Sequence, residues 1–246
     1  MKRILIITIL IIVILILTLI SIYYINSIKQ ATFESSSTII YLLYNDEDIS
    51  QFKHPNIIPL KLEKQTVFFE SEAFRQIEKL PRYKNIGFIT HAFFKKQDLS
   101  LNELFEKIGK RTLPYTLGLV EAEDRRLEFL TKFHGENFLK IWHWLIKELG
   151  YSEYYDKDFK GFSANMWVAN RKFTKRFIKI AKRAMKLCED APPEMKALLY
   201  RDPNYNGSIK RLCFEKFGIP HYPFHPFIIE NLVCFLTHLQ NKGVKI

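Results

Sequence analysis

Cysteine is scarce in this chain, with three among 246 residues, at Cys188, Cys213 and Cys234. Three widely spaced cysteines allow at most one disulfide, which excludes the small secreted folds that several disulfides hold together. Cys234 lies in an apolar stretch, where a buried thiol acts as a small hydrophobic group. The sequence also lacks a glycine-rich phosphate loop and a Gly-x-Ser-x-Gly elbow, so hydrolysis by an activated serine has no support.

Negative charge is in the minority, with 26 Asp+Glu against 37 Lys+Arg. This excess of positive charge favours phosphates, nucleotides, anionic lipids and acidic glycans as partners, and it does not choose among them. No nucleic-acid-binding module can be recognised, so we expect no nucleic acid partner.

One long hydrophobic run lies at the start of the chain. Ile4 to Ile25 carries no charge, and about 20 apolar residues suffice for a helix to cross a bilayer. We predict an uncleaved transmembrane signal anchor over residues 1–25. A cleaved signal peptide is the alternative, but the run is longer than an ordinary signal core and no small-x-small cleavage site follows it.

The flanks of this run predict its orientation. Lys2 and Arg3 precede it, and Tyr23 and Tyr24 lie where aromatic side chains favour the headgroup region. We therefore expect a single-pass membrane protein with a cytoplasmic N-terminus and the globular domain on the opposite side. Residues 26–37 form a polar tether, and residues 38–246 are long enough for one sizeable domain.

Strands and helices alternate after the tether. The predicted strands are Thr38–Tyr44, Ile57–Leu62 with Pro59 near a sheet edge, Ile86–Thr90 and Tyr115–Val120, and the predicted helices are Ser71–Leu80 and one that a Ser100/Glu103 capping box opens. After Val120 only helices are predicted, at Glu136–Leu149, Phe173–Cys188 and Phe227–Gln240. The pattern predicts an α/β domain with a mainly parallel sheet flanked by helices and a helical C-terminal half.

Ligands of such sheets bind beyond the carboxyl ends of the strands, which directs attention to three loops: Asn45–Asp48, Thr90–Phe93 and Glu121–Asp124. The acidic residues of the first and third loops either hold a divalent metal against a nucleotide diphosphate or belong to a turn and a solvated helix start. In the third loop the helix-start alternative has these acids pair with Arg125 and Arg126.

Histidines and basic residues offer further candidates. His91 directly follows a predicted buried strand, as a general base or ligand contact would, although a structural role is also consistent with this position. His221 and His225 are surrounded by prolines that prevent a shared helical face, which argues against a metal site there. The basic helix between Arg171 and Lys186 is either a solvated face or an attraction for an anionic ligand or lipid headgroups.

Three motifs together resemble a group of glycosyltransferase-like proteins found in bacterial polysaccharide clusters and in large DNA viruses. They are Gly87–Lys96 with its Thr-His-Ala-Phe-Phe core, the aromatic segment Phe162–Ala169 ahead of the basic helix, and the closing His-Pro-Phe-x-x-Glu motif of His225–Glu230. The resemblance covers the chain from about Thr38 to its C-terminus. It implies a nucleotide-sugar-dependent transferase with a glycosyltransferase-A-like fold.

The resemblance also implies site residues. His91 and Glu230 are the candidate catalytic residues, either of which would serve as base for an acceptor hydroxyl, and Asn165, Trp167 and His225 are the candidate substrate-binding residues. Trp167 would stack on a sugar ring or base, and Asn165 would hydrogen-bond to hydroxyls. The structural alternative makes Trp167 a core residue, Asn165 a turn or cap residue and His225 the start of the final helix.

No metal ligand is assigned, because the Glu121–Asp124 cluster lacks Asp-x-Asp spacing, and the requirement for a divalent metal stays open. In a metal-free mechanism the basic residues between Arg171 and Lys186 would neutralise the leaving diphosphate. The expected partners are the lipid bilayer through residues 4–25, a nucleotide-sugar donor and a glycan acceptor. The alternative function is a non-catalytic, membrane-tethered interaction or structural domain with an anion-binding basic face.

Overall fold

The computed structural model describes residues 13–23, 37–94, 99–109, 116–119, 122–162, 165–205 and 210–246. Residues 13–23 are helical, and their large apolar side chains are exposed. No helix within these ranges is both long enough and apolar enough to cross a membrane. More than half of the predicted anchor and nearly all of the predicted tether lie outside the described residues.

A five-stranded sheet forms the centre of the domain. Its strands, in spatial order, are β2 (Ile57–Lys61), β1 (Thr38–Tyr44), β3 (Asn85–Thr90), β7 (Trp167–Asn170) and β4 (Thr116–Gly118). A separate antiparallel pair consists of β5 (Ala122–Glu123) and β6 (Gly161–Phe162).

Strands β2, β1 and β3 are parallel to one another, and β7 runs against both β3 and β4. Four of the five strands therefore share one direction, and the predicted α/β fold with a mainly parallel sheet is confirmed. The prediction that Pro59 marks an edge strand is also confirmed, since β2 lies at the end of the sheet.

Helices cover both faces of the sheet. They are α1 (Ala73–Gln76), α2 (Leu101–Gly109), α3 (Arg126–His134), α4 (Glu136–Glu148), α5 (Arg171–Glu189), α6 (Pro193–Leu199), α7 (Lys210–Phe217) and α8 (His225–Asn241). The predicted helices over Glu136–Leu149, Phe173–Cys188 and Phe227–Gln240 correspond to α4, α5 and α8. The predicted capping box is present at α2, where Glu103 Oε2 accepts from the Ser100 backbone at 2.7 Å.

Two predictions about elements are wrong. The C-terminal half is not purely helical, because Trp167–Asn170 forms β7 and lies inside the main sheet. The predicted helix over Ser71–Leu80 is a 3₁₀ turn at Phe69–Glu72 followed by the single helical turn α1, since Ile77 adopts an extended backbone with ψ 102°. Pro81 also restricts the residue before it to extended conformations, so a helix could not have continued to Leu80.

Alternate side chains of β1 pack into two separate hydrophobic cores, one on each face of the sheet. Ile39, Tyr41 and Leu43 pack under α4, α5 and α8 in the larger core. Ile40 and Leu42 point to the opposite face, where α2 covers a smaller core. A strand whose side chains are buried on both faces reads as an uninterrupted apolar run, which is why β1 was visible in the sequence.

Candidate functional site

The sheet has a topological switch point between the parallel strands β1 and β3, because the chain adds β2 on one side of β1 and β3 on the other. From β1 the chain moves outward to β2 on one side, and then it returns to β3 on the other side of β1. Such a switch leaves a crevice at the carboxyl ends of the two strands, where open α/β sheets bind their ligands. Here those ends are Tyr44 and Thr90, so the Asn45–Asp48 and Thr90–Phe93 loops meet at this crevice.

His91 and Glu47 lie together in this crevice. The backbone N–H of His91 donates to the Leu43 carbonyl at 3.2 Å, which fixes the loop against β1. Nδ1 of His91 is 3.6 Å from Oε1 of Glu47, and the side chains are 37% and 34% exposed. Glu47 is itself held by Asn45, whose backbone N–H donates to Oε2 at 2.6 Å.

A carboxylate beside an imidazole nitrogen orients the ring. The other ring nitrogen, Nε2, is then the proton acceptor. Because both side chains are partly exposed, a hydroxyl group bound in the crevice could reach the imidazole. The pair can therefore perform general base chemistry.

The other two acids of this loop have structural roles. Asp46 forms an exposed ion pair with Lys61 at 3.0 Å. Oδ1 of Asp48 accepts from the Ser50 backbone N–H at 2.8 Å, and this hydrogen bond lowers the pKa of Asp48. The turn interpretation of Asn45–Asp48 is thus right for Asp46 and Asp48, while Glu47 faces a candidate catalytic residue.

A small cavity of about 40 Å³ adjoins the crevice beyond β1 and β2. It is lined by Asn45, Leu62, Gln65, Thr66, Phe69, Glu70, Lys216 and Phe217. Phe69 has a φ of 49°, in the left-handed region that bulky side chains rarely adopt, and its ring stacks on Tyr222 at 4.5 Å. A strained residue of this kind is maintained by the packing around it and is common at binding sites.

Asn165 contacts the turn at Phe69–Glu72, and His225 contacts Phe68, the residue just before this turn. Nδ2 of Asn165 donates to the hydroxyl of Ser71 at 3.2 Å. The ring of His225 packs edge-on against Phe68 at 5.2 Å. Oδ1 of Asn165 and Nδ1 of His225 are buried without a hydrogen-bond partner in the part of the chain that the structure describes. Burial, and secondarily the charge of Lys196, lowers the pKa of His225 to about 3, so the imidazole is neutral near pH 7.

Asn165 lies at the same edge of the sheet as His91. The backbone N–H of Leu119, just after β4, donates to the Met166 carbonyl at 2.9 Å, so Asn165 lies just beyond the start of β7. Because β7 is antiparallel to β3, its start lies at the carboxyl edge. Two residues from distant parts of the sequence, His91 and Asn165, are thereby brought to one edge.

Trp167 is fully buried. Its ring lies 4.8 Å from Phe88 and 5.0 Å from Phe177, and it also packs against Phe173. No exposed ring face remains for a sugar in this arrangement, so the position fits the core alternative. We leave Trp167 out of the site that we propose.

Glu230 lies on α8 and is half-buried. Burial is the main cause that raises the pKa of Tyr222 well above its usual value, and the carboxylates of Glu70 and Glu230 add to it. Glu70 also lines the small cavity. Glu230 therefore lies near Tyr222.

The acidic clusters give no metal centre of the expected kind. Glu121 lies outside the described residues, and Asp124 pairs with Lys160 at 2.9 Å rather than with Arg125 or Arg126. No three His, Cys, Asp or Glu side chains come together in a metal-binding arrangement within the described ranges.

Asp-x-Asp spacing does occur at two other places, Asp46-Glu47-Asp48 and Asp156-Lys157-Asp158. The roles of Asp46 and Asp48 are the ion pair and turn contact given above. Asp158 accepts from the backbone N–H groups of Leu127 and Glu128 at 2.8 and 3.3 Å, and it thus caps α3.

The basic helix α5 does not begin at the crevice. The backbone N–H of Arg171 donates to Lys84, which immediately precedes β3, so α5 starts at the amino edge of the sheet. This placement does not support the neutralisation of a leaving diphosphate by Arg171 itself; for the other basic residues up to Lys186 it stays a prediction. Lys216, which lines the small cavity, is a cation on the carboxyl side.

Glu47 and Ser71 are the residues that sequence reasoning missed. Glu47 stood in a loop marked as interesting, but nothing local separated it from Asp46 and Asp48. Glu47 can be distinguished only from the pairing of Leu43 with Thr90 in parallel strands, because this pairing brings the loop of Glu47 beside the loop of His91. Ser71 carries no signal in the sequence, because its role depends on Asn165, 94 positions away.

No protein-family model, no curated protein and no solved structure matches this chain.

Proposed function

We propose that this chain is a membrane-anchored, glycosyltransferase-like protein of the glycosyltransferase-A-like type, which transfers a sugar from a nucleotide-sugar donor to a surface glycan or glycoprotein. The observation that carries the proposal is the partly exposed His91–Glu47 pair in the crevice between β1 and β3. A proton-accepting pair at the switch point of a mainly parallel sheet suits a transferase that binds a nucleotide and activates a hydroxyl.

His91 is the catalytic base in this proposal and Glu47 is its positioning residue. Nε2 of His91 takes the proton of an acceptor hydroxyl, whose oxygen forms the new bond to the anomeric carbon of the donor sugar. The bond from that carbon to the diphosphate breaks, and the nucleoside diphosphate leaves with the electron pair. Lys216 and Gln65 line the adjoining cavity and offer a positive charge and an amide N–H group for phosphate oxygens.

Asn165, His225 and Glu230 form the second half of the proposed site. Asn165 contacts Ser71 and His225 contacts Phe68, and each has a buried polar atom without a partner among the described residues. An unpaired buried polar atom costs about 1 to 3 kcal/mol. Because Asn165 and His225 are 1% and 2% exposed, a sugar hydroxyl or amide could offset this cost only if the turn at Phe69–Glu72 opened. Glu230 stays a candidate for acceptor contact near Tyr222.

The membrane attachment is part of the proposal. The exposed apolar side chains of residues 13–23 support contact of this segment with lipid. We propose that the whole run of residues 4–25 crosses the bilayer, with the N-terminus cytoplasmic and the domain on the opposite side. Retention of the chain in the membrane fraction after alkaline carbonate washing would support this, and release into the wash would contradict it.

The test uses the full chain in detergent micelles and a panel of nucleoside-diphosphate sugars, with and without Mn²⁺. We expect one donor to raise the melting temperature and then to release nucleoside diphosphate when an acceptor glycan is present. The His91→Gln variant should keep the melting shift and lose turnover by about 100-fold or more, which is the usual effect of losing a general base.

Glu47→Gln and Asp46→Asn form a matched pair, since both remove one charge from the same loop and only Glu47 faces His91. We expect Glu47→Gln to lower kcat with little change in KM, because the ring of the base is then less well oriented, while Asp46→Asn leaves both unchanged. Unchanged turnover in His91→Gln would refute the assignment of the base. A melting shift without turnover would favour a binding relative, and a panel that gives no shift would favour the alternative, a tethered interaction domain.

A further inference from the structure

A basic groove runs along one side of α5, between this helix and the segment Ile77–Leu80. Its volume is about 460 Å³, and we call it the α5 groove. It is lined by Ile77, Glu78, Lys79, Leu80, Arg171, Lys175, Ile178, Lys179 and Lys182. From Arg171 to Lys182 the helix advances by about 16 Å, which is the length of the groove along the helix.

The lining of the α5 groove is amphipathic. Its floor is apolar, because Ile77, Leu80 and Ile178 are 7%, 9% and 6% exposed. Its rim carries five cationic side chains and one carboxylate, that of Glu78. Inorganic phosphate would use the rim alone, whereas a phospholipid can place its phosphate on the rim and its glycerol and first methylenes on the floor.

Two of the cations are fixed in place by the backbone of the opposite wall. The guanidinium of Arg171 donates to the carbonyls of Pro81 and Leu80 at 2.9 and 3.4 Å. Nζ of Lys182 donates to the Ile77 carbonyl at 3.0 Å. These contacts neutralise no charge, so both side chains keep their full positive charge while they hold the two walls together.

Lys175 and Lys179 lie between these two fixed cations, one helical turn apart on the same face. Both are exposed, and neither forms an ion pair with a described carboxylate. By contrast Lys186, farther along α5, is already paired with Asp190 at 2.8 Å. Lys175 and Lys179 are therefore the side chains available to a negatively charged ligand.

The α5 groove opens at the edge of the sheet where the chain arrives from its N-terminal segment. The Asn85 backbone N–H donates to the Ser37 carbonyl at 3.1 Å, and the Arg171 N–H donates to the neighbouring Lys84 carbonyl at 2.9 Å. The residues before Ser37 lead back to the predicted anchor. Twelve residues span at most about 40 Å even when fully extended, which limits how far this edge can lie from the bilayer.

We propose that the α5 groove binds the phosphate-bearing headgroup of an anionic phospholipid in the membrane that anchors the chain. Lys175 and Lys179 contact the phosphate, and Arg171 and Lys182 lie on either side of it. The glycerol and first methylenes of the lipid pack on the apolar floor. The bound lipid turns the amino edge of the sheet toward the bilayer and the crevice of His91 and Glu47 away from it. This inference rests on the membrane attachment proposed above and does not depend on the sugar chemistry.

The test measures binding of soluble short-chain lipids to the full chain in a zwitterionic detergent. Dihexanoyl phosphatidylglycerol is the anionic probe, and dihexanoyl phosphatidylcholine and inorganic phosphate are the comparison ligands. We expect the affinity for phosphatidylglycerol to exceed that for either comparison ligand at least tenfold. Raising the salt concentration should weaken the binding, because the contacts on the rim are electrostatic.

The decisive variants are a matched pair of double substitutions on α5. Lys175→Gln with Lys179→Gln removes the two central cations, and Lys172→Gln with Lys186→Gln removes two exposed cations that do not line the groove. A lysine near an anionic lipid surface contributes about fivefold to binding, so the first variant should lose about 25-fold and the second should lose little.

Three outcomes would overturn the proposal. Equal losses in the two double variants would show a diffuse charge effect, and equal affinity for phosphate and phosphatidylglycerol would show a phosphate site without a role for lipid. Absence of saturable phosphatidylglycerol binding in the native chain would exclude the groove altogether. Equal melting temperatures of the two variants would show that neither result comes from unfolding.

Discussion

Replacement of Trp167 by alanine separates a core role from a ligand-binding role for this residue. The indole is fully buried, between the Phe88 ring at 4.8 Å and the Phe177 ring at 5.0 Å. Phe173 contacts its edge at 6.4 Å. The ring thus joins β7 to β3 and to α5, and its removal would open a hole at the junction of all three elements.

The expected loss of stability follows from this environment. Truncation of a buried tryptophan to alanine costs about 3 to 5 kcal/mol, through lost burial and the cavity that remains. Each aromatic contact contributes about 0.5 to 1.5 kcal/mol beyond its buried area, so three contacts place Trp167 in the upper part of that range. For a chain of this length, 1 kcal/mol lowers the melting temperature by about 2 to 4 °C. We therefore expect Trp167→Ala to melt about 8 to 20 °C below the native chain.

The assay is thermal unfolding followed by circular dichroism, with Trp144→Ala as the control. Trp144 is only partly buried, on α4, and we expect its loss to cost about 1 to 2 kcal/mol. A second variant, Trp167→Phe, should recover part of the lost stability. The reasoning would be refuted if Trp167→Ala melted within about 2 °C of the native chain and at the same time lost its response to nucleotide sugars.

Three further predictions concern single groups. Burial holds the pKa of folded His225 at about 3, against an ordinary value near 6.5, so between these pH values only the unfolded chain binds the extra proton. The free energy of unfolding therefore falls with decreasing pH, by up to about 1.4 kcal/mol per pH unit. Denaturant titrations from pH 7 to pH 4 should show a smaller fall in His225→Phe. Burial raises the pKa of the Cys188 thiol to about 12. In a variant with the other two cysteines replaced by alanine, Cys188 should not react with a disulfide reagent at pH 8 until denaturant is added. Rapid labelling of the folded chain would contradict the buried position of this thiol. Asn170→Ala removes the side chain that accepts a hydrogen bond from the Phe173 backbone N–H at 2.9 Å, at the start of α5. Urea unfolding should show that the free energy of unfolding falls by about 1 kcal/mol. An unchanged free energy of unfolding would mean that another contact caps the helix.

The parts of the fold that the sequence predicts are those with a strong local signal. β1 is a seven-residue apolar run with side chains buried on both faces, and α5 alternates an apolar stripe with a basic face at helical spacing. β7 has only four residues, Trp-Val-Ala-Asn, which is too short to show a period of two or of 3.6. Its place in the sheet comes from pairing with β3, about 80 residues earlier, and no local pattern carries that information.

The candidate site is predictable to a similar extent. The sequence places His91 after a buried strand, and the structure puts it at the carboxyl edge. The partner of His91 depends on which strand lies beside β3, and Glu47 becomes distinct from Asp46 only once β1 is known to be that neighbour. For Trp167, the motif and the aromatic character predicted ligand stacking, but the packing of Phe88, Phe173 and Phe177 around it supports the core interpretation.

The position of β7 between β3 and β4 imposes an order on folding. β4 leaves the ribosome about 50 residues before β7, yet its hydrogen bonds in the sheet are made to β7. During synthesis β1, β2 and β3 can pair early, whereas β4 must wait for β7. Chains that stop before residue 167 would have a three-stranded parallel core with an unpaired edge at β3, a template for aggregation. We therefore expect the nascent chain to need chaperone protection until the start of α5 has emerged.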